Sequence, residues 1–116
     1  MQKVFYLKTC NTCMKILKRF DLKDWEFREL KSAPLTEKEL AEMYAHTKSY
    51  EALFSRRSTQ LKARSIDVNN LTELDYKKLL LTHYSFLKRP VFLTDELIFV
   101  GNDKQTVGNL EQFINA

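Results

Sequence analysis

The 116 residues amount to one domain, with no spare length for a second core. Apolar residues at 44% against 29% charged predict a packed globule, and 8 Phe, 5 Tyr and a single Trp supply large groups to bury. Gly101 and Gly108 are the only glycines, which excludes a P-loop and a GxGxxG dinucleotide fingerprint, and the formal +4 charge suits small anions or acidic surfaces.

Lys3-Val4-Phe5-Tyr6-Leu7 reads as a short buried strand, followed by a turn through Lys8-Thr9-Cys10-Asn11-Thr12. A helix is predicted from about Cys13 to Phe20, with Ile16, Leu17 and Phe20 on one face and Asn11 or Thr12 as its cap. Trp25 to Leu30 alternates as a half-buried strand. Phe5, Trp25, Phe27, Phe92 and Phe99 follow strand alternation, which predicts core positions rather than a base-stacking platform.

After Ala33-Pro34 the pattern becomes helical. Thr36-Glu37-Lys38-Glu39 is a capping box ahead of Leu40, Met43 and Tyr44. Helical material is expected through Tyr50–Phe54 and from Ser58 to Arg64. A further helix starts at Asn70-Leu71-Thr72-Glu73, with Leu71, Leu74, Leu79 and Leu80 as its apolar positions, and ends near His83-Tyr84. Residues 34–86 form the predicted helical block.

Pro90–Thr94 and Leu97–Val100 read as strands joined by a two-residue connection, Asp95-Glu96. A closing helix is predicted over Lys104 to Ile114. The order is β-α-β, helices, β-β-α: an α/β, thioredoxin-like fold with a four-stranded mixed sheet, flanking helices and a helical insertion between strands 2 and 3. It is expected as a single domain over 1–116, with the insertion at about 34–86. No apolar run is long enough to span a bilayer, and the N-terminus shows no apolar secretory core or small-residue cleavage site. A cytoplasmic monomer with no membrane and no direct nucleic-acid contact is expected.

Cys10-Asn11-Thr12-Cys13 sits between a predicted strand and a predicted helix. A thiol at a helix N-terminus faces free N–H groups and the positive end of the helix dipole, both of which favour thiolate over thiol. The second cysteine, one turn in, is close enough to attack a mixed disulfide on the first. Two alternatives stand against this reading. One is an ordinary pair of buried cysteines, which gives no reason for this spacing in this turn. The other is half a zinc site completed by His46 and His83, which are placed inside different helices without a second close ligand pair. Cys10 and Cys13 are therefore the candidate catalytic pair, with Asn11, Thr12 and Pro90 in the active-site loop. No bound cofactor and no metal are expected.

Lys88-Arg89-Pro90 leads into the third strand. In a thioredoxin-like fold that stretch comes beside the cysteine turn, usually with a cis proline, so Arg89 projects toward Cys10. Arg56 reads as a solvated surface charge, whereas the position of Arg57 between helical segments keeps it among the candidates.

Tyr6–Lys15, Leu53-Phe54-Ser55-Arg56-Arg57-Ser58, Phe86–Val91 and Phe99-Val100-Gly101-Asn102, taken in order, resemble the arsenate reductase (ArsC)/Spx family over essentially the whole chain. The resemblance implies that Cys10 is the nucleophile, and that Arg57 and Arg89 are the two arginines that hold the arsenate or thiolate. Glutaredoxin-dependent arsenate reductases typically carry Cys-Gly-Thr-Ser-Arg. Cys10-Asn11-Thr12-Cys13-Met14 is nearer to the reductase-related members with a Cys-x-x-Cys. The implied activity is a thiol-dependent oxidoreductase acting on a small oxyanion such as arsenate or on a protein disulfide. Glutathione, glutaredoxin or thioredoxin is its expected electron donor. The rival implication is an Spx-like redox-sensing regulator that binds the RNA polymerase α-subunit.

Overall fold

A computed structural model describes residues 1–116. The chain forms two compact units, one from residues 1–33 with 89–116 and the other from residues 34–88.

The first unit holds β1 (Gln2–Tyr6), α1 (Asn11–Lys18), β2 (Glu26–Glu29), and, after the second unit, β3 (Val91–Thr94), β4 (Ile98–Val100) and α5 (Lys104–Ile114). The sheet order is β2-β1-β3-β4, with β1 parallel to β2 and antiparallel to β3, and β3 antiparallel to β4. Asp95-Glu96 is the expected hairpin connection. Thr94 N–H donates to Leu97 O at 2.9 Å, and the Thr94 hydroxyl accepts the N–H groups of Glu96 and Leu97. The two central strands carry the apolar load. Val4 and Phe92 are register partners. Together with Tyr6 they pack in one core with Cys13, Ile16 and Leu17 of α1, Leu22, Trp25, and Val107 and Leu110 of α5. Trp25 meets Phe92 edge-on at 5.2 Å between ring centroids, a favoured aromatic geometry.

Alternation places Phe27 in the core, and the structure corrects this: Phe27 is 48% exposed. Strand β2 is a sheet edge, so the Phe27 ring meets Tyr6 of the neighbouring strand edge-on and leaves much of its area to solvent.

The second unit holds α2 (Glu37–Thr47), α3 (Thr59–Ala63) and α4 (Glu73–Leu80), linked by one-turn 3-10 segments at Glu51–Leu53, Val68–Asn70 and Tyr84–Phe86. The expected capping box forms: Glu39 N–H donates to Thr36 Oγ1 at 3.1 Å, and Thr36 N–H donates to Glu39 Oε1 at 3.0 Å. Thr72 and Asp75 repeat it at α4. The helical expectation over Ser58 to Arg64 shrinks to five residues of α3, with Ser58 as its cap. In α4 the buried pair is Tyr76 and Leu80, one turn apart, while Leu74 is 57% exposed. The helix closes at Leu80, short of the expected end near His83. That histidine instead caps the Tyr84–Phe86 turn by accepting Ser85 N–H on Nδ1. Phe54 stacks on Phe86 and meets Tyr76 edge-on, and with Leu40 and Met43 these side chains are buried.

The contrast between two phenylalanines is testable. Phe92→Ala should cost about 3–5 kcal/mol, because a buried ring leaves a cavity. Phe27→Ala should cost clearly less, since its ring already meets water. Urea denaturation of both variants against the parent checks the order, and equal losses would place Phe27 in the core after all.

Candidate active site

Strand β1 ends at Tyr6, and Cys10 N–H donates back to Leu7 O at 3.1 Å, closing a tight turn through Lys8 and Thr9. Cys10 then has extended backbone (φ −92°, ψ 105°) and caps α1: its Sγ accepts Cys13 N–H at 3.4 Å. The cap is the sulfur itself, not a side-chain oxygen of Asn11 or Thr12. Those two residues are the exposed first turn of α1 rather than part of a loop, because the helix starts at Asn11. Cys10 O takes the bond from Met14 N–H at 3.0 Å that begins the helical ladder. No acidic side chain stands in that first turn to compete with a thiolate.

Antiparallel pairing of β1 with β3 runs through Phe5↔Val91. Extending that register by two residues sets Arg89 opposite Leu7, at the start of the cysteine turn. The Arg89-Pro90 bond is cis, as the fold leads one to expect. Asn102 Nδ2 donates to Arg89 O at 3.1 Å, and Gly101 N–H donates to Pro90 O at 2.9 Å.

The two thiols are driven apart. Partial burial works against the Cys10 thiolate. The Cys13 N–H and S–H and the charge and hydrogen bond of Arg89 outweigh it and hold the Cys10 thiol below its ordinary value. Cys13 has no exposed surface. Burial, joined by the S–H it gives to Cys10 and by the charge there, pushes its thiol up to about 12.

Sequence patterning gives no hint of Glu29, which ends an alternating edge strand and reads as a surface charge. Parallel register pairs it with Tyr6, at the mouth of the cysteine turn. One carboxylate oxygen accepts Lys8 N–H at 3.0 Å and the other accepts Ser32 N–H at 2.8 Å. What little desolvation it suffers raises its pKa. The N–H groups of Lys8, Ser32 and Lys31 prevail and hold the carboxyl below its usual range. Only the strand register, which no local pattern encodes, exposes this role.

Arg57 belongs to the second unit, in the bend after Ser55, whose Oγ accepts the Arg57 N–H at 3.3 Å. Arg56 forms an exposed ion pair with Glu51 at 3.0 Å, worth little in water. No three His, Cys, Asp or Glu side chains gather into a group that could hold a metal ion. No helix is long and apolar enough to cross a membrane.

The family model described as ArsC family matches residues 5–110. No curated protein matches the sequence. Among solved structures, an ArsC family related protein from Bacteroides fragilis is 22% identical, with a TM-score of 0.74 over 94% of this chain and 97% of that one. An arsenate reductase (ArsC) related protein from Brucella melitensis is 23% identical, with a TM-score of 0.68 over 96% and 94%. A structure described as a possible arsenate reductase from Streptococcus mutans is 15% identical, with a TM-score of 0.72 over 96% and 98%. At such identities these likenesses speak for the fold, which is the expected thioredoxin-like α/β arrangement.

The asymmetry between the thiols gives a direct expectation. Iodoacetamide should label Cys10 first, with a pH midpoint below that of a free thiol, while Cys13 stays unlabelled until the protein unfolds. Arg89→Ala should raise the Cys10 midpoint, and Arg89→Lys should restore part of the difference. Mass spectrometry of the labelled peptide assigns the site. Labelling of Cys13 first would reverse the roles.

Proposed function

The chain belongs to the ArsC family, and on that premise we propose that it is a thiol-dependent oxidoreductase with Cys10 as nucleophile and Cys13 as resolving thiol. The observation that carries the proposal is the Cys10 sulfur capping α1, with the Arg89 cation beside it and a second thiol one turn away. A thiolate in that position is both available and accessible, since Cys10 is only partly buried.

With a disulfide substrate, the Cys10 thiolate attacks one sulfur and the other leaves as a thiolate that takes a proton from water. Cys13 then loses its proton and attacks the Cys10 sulfur. The Cys10–Cys13 disulfide forms and the second substrate thiol departs, so two electrons have moved from the protein to the substrate. With arsenate, Cys10 displaces one arsenate oxygen as water and forms a sulfur–arsenic bond. Attack of a thiol on the Cys10 sulfur breaks that bond, and the pair of electrons stays on arsenic, which leaves as arsenite. The attacking thiol is Cys13, glutathione or a glutaredoxin cysteine. Glutathione, glutaredoxin or thioredoxin then supplies the two electrons that return the pair to thiols.

Arg89 serves twice in this scheme. It favours the thiolate, and its guanidinium fork fits the oxygens of a tetrahedral anion. Arg57 enters the proposal through the family resemblance alone, as an oxyanion-holding arginine.

Turnover of arsenate and of a low-molecular-weight disulfide is to be measured with glutathione plus glutaredoxin, and separately with thioredoxin. Cys10→Ser should abolish both reactions. Cys13→Ser should still make the first attack and accumulate a mixed disulfide of the protein with substrate or glutathione, visible by mass. Arg57→Ala should raise KM for arsenate more than it lowers disulfide reduction. Full activity in Cys10→Ser would sink the proposal.

A further inference from the structure

Resting on the reading of Cys10 as nucleophile with Arg89 as its cation, we infer that Asn102 is a positioning residue whose side-chain N–H, bonded to the Arg89 carbonyl, holds the arginine on the cysteine turn.

At the open end of the β3–β4 hairpin the hydrogen-bond ladder runs out. Val91 and Val100 are its last paired residues within the strands. One step further, Gly101 N–H still reaches Pro90 O at 2.9 Å. At Gly101 the chain turns out of the sheet with φ 92°, in the left-handed region that a glycine enters without steric cost. The turn carries the backbone toward Asp103, which caps α5. From there on, β4 has no backbone N–H to offer β3. Opposite Asn102 stands Arg89, a position at which the alternating antiparallel ladder makes no backbone bond between β3 and β4, and the Asn102 carboxamide supplies one, donating from Nδ2 to the Arg89 carbonyl at 3.1 Å. A side chain thus supplies an extra rung beside the last one that the backbone makes.

That rung matters because of what lies on the other side of Arg89. The residue before a proline is already restricted to extended backbone by the proline ring. Fixing its carbonyl oxygen removes much of the remaining freedom about ψ. The consecutive carbonyls of Arg89 and Pro90 are then held by the consecutive residues Asn102 and Gly101. With the two carbonyls on the C-terminal side of the Arg89 Cα held, the direction of its Cα–Cβ bond is restricted too, and the long guanidinium arm leaves from a better defined point at the cysteine turn. Without the rung, the arm starts from a peptide free to rock, and the time it spends against Cys10 falls. Asn102 does not touch the sulfur. Its whole effect passes through Arg89.

A double-mutant cycle isolates that route. The rate of iodoacetamide reaction with Cys10 is to be measured across pH in the full chain for Asn102→Ala, Arg89→Ala and the double variant. Each unit by which the thiol midpoint rises should slow reaction below the midpoint by about threefold, as tenfold less thiolate is half offset by its greater nucleophilicity. Asn102→Ala is expected to raise the midpoint and slow the reaction, though less than Arg89→Ala does. In the Arg89→Ala background, Asn102→Ala is expected to change neither the midpoint nor the rate. A general loosening of the hairpin would instead slow both backgrounds alike, and that result overturns the inference. So does an unchanged profile in Asn102→Ala while Arg89→Ala shifts it. If Arg89→Ala itself leaves the Cys10 profile unchanged, the underlying reading of the arginine fails, a separate outcome that removes the inference with it. Asn102 is exposed, so its alanine variant should fold. Thermal unfolding followed by circular dichroism confirms this, and Asn102→Ser, which keeps a donor, should retain more of the parent profile than Asn102→Ala.

Discussion

The site depends on one contact, the Cys13 N–H donated to the Cys10 sulfur at the start of α1. Helices ordinarily cap their first turn with an oxygen from Ser, Thr, Asp or Asn. A neutral thiol is a weak acceptor for that purpose, and a thiolate is a good one. Capping the helix and ionising the thiol are therefore one event in free energy. The linkage has a definite sign. The folded pKa of Cys10 lies below its unfolded value, so the contribution to stability is full above the unfolded pKa and drains away as pH falls through the folded one. The same bond that starts the helix favours the charged form of the Cys10 thiol.

Strand order supplies the rest. Strand β1 is central, with a parallel neighbour on one side and an antiparallel neighbour on the other. Both neighbours deliver a charged side chain to the C-terminal end of β1, where the cysteine turn begins. From β2 comes Glu29, which ties down the Lys8 N–H. From the approach to β3 comes Arg89, which faces the sulfur. The anion and the cation do different work. The carboxylate is spent on backbone N–H groups of the turn and of the loop after β2, so it braces the turn, while the guanidinium adds to the Cys13 N–H in stabilising the thiolate. Reversing these placements would set a negative charge against a thiolate and raise its pKa.

What the residues reveal without coordinates divides along the range of the interactions. The cysteine pair is legible because strand, turn and helix are adjacent in sequence, and the capping boxes at Thr36 and Thr72 are legible for the same reason. Arg89 is legible at one remove, since a proline marks the residue that precedes the third strand. Glu29 and Asn102 are not, because each acts across a strand pairing whose register no local pattern encodes. Phe27 misleads for a related reason: alternation reports which face a side chain takes but not whether its strand is an edge. At Cys10 the surprise is chemical. Oxygen-bearing Asn11 and Thr12 are the ordinary caps, yet the structure starts the helix one residue after the sulfur. The family likeness, rather than any pattern in the chain, brings Arg57 into the picture.

The opposed acidities of the two cysteines also order the proposed chemistry in time. While Cys10 carries its charge, Cys13 is buried, gives its S–H to that charge and remains protonated. It cannot act as a second nucleophile at this stage. Once Cys10 is bonded to a substrate sulfur or to arsenic, its negative charge is gone, and with it go the acceptor and the repulsion that hold the Cys13 proton in place. Burial still opposes ionisation, but two of the three influences holding the pKa up have been removed by the first step itself. Adduct formation is thus the trigger for its own resolution. The return half of the cycle gains from the same asymmetry, because a stabilised Cys10 thiolate stabilises the reduced pair, and a disulfide whose reduced form is so favoured accepts electrons readily from a donor thiol.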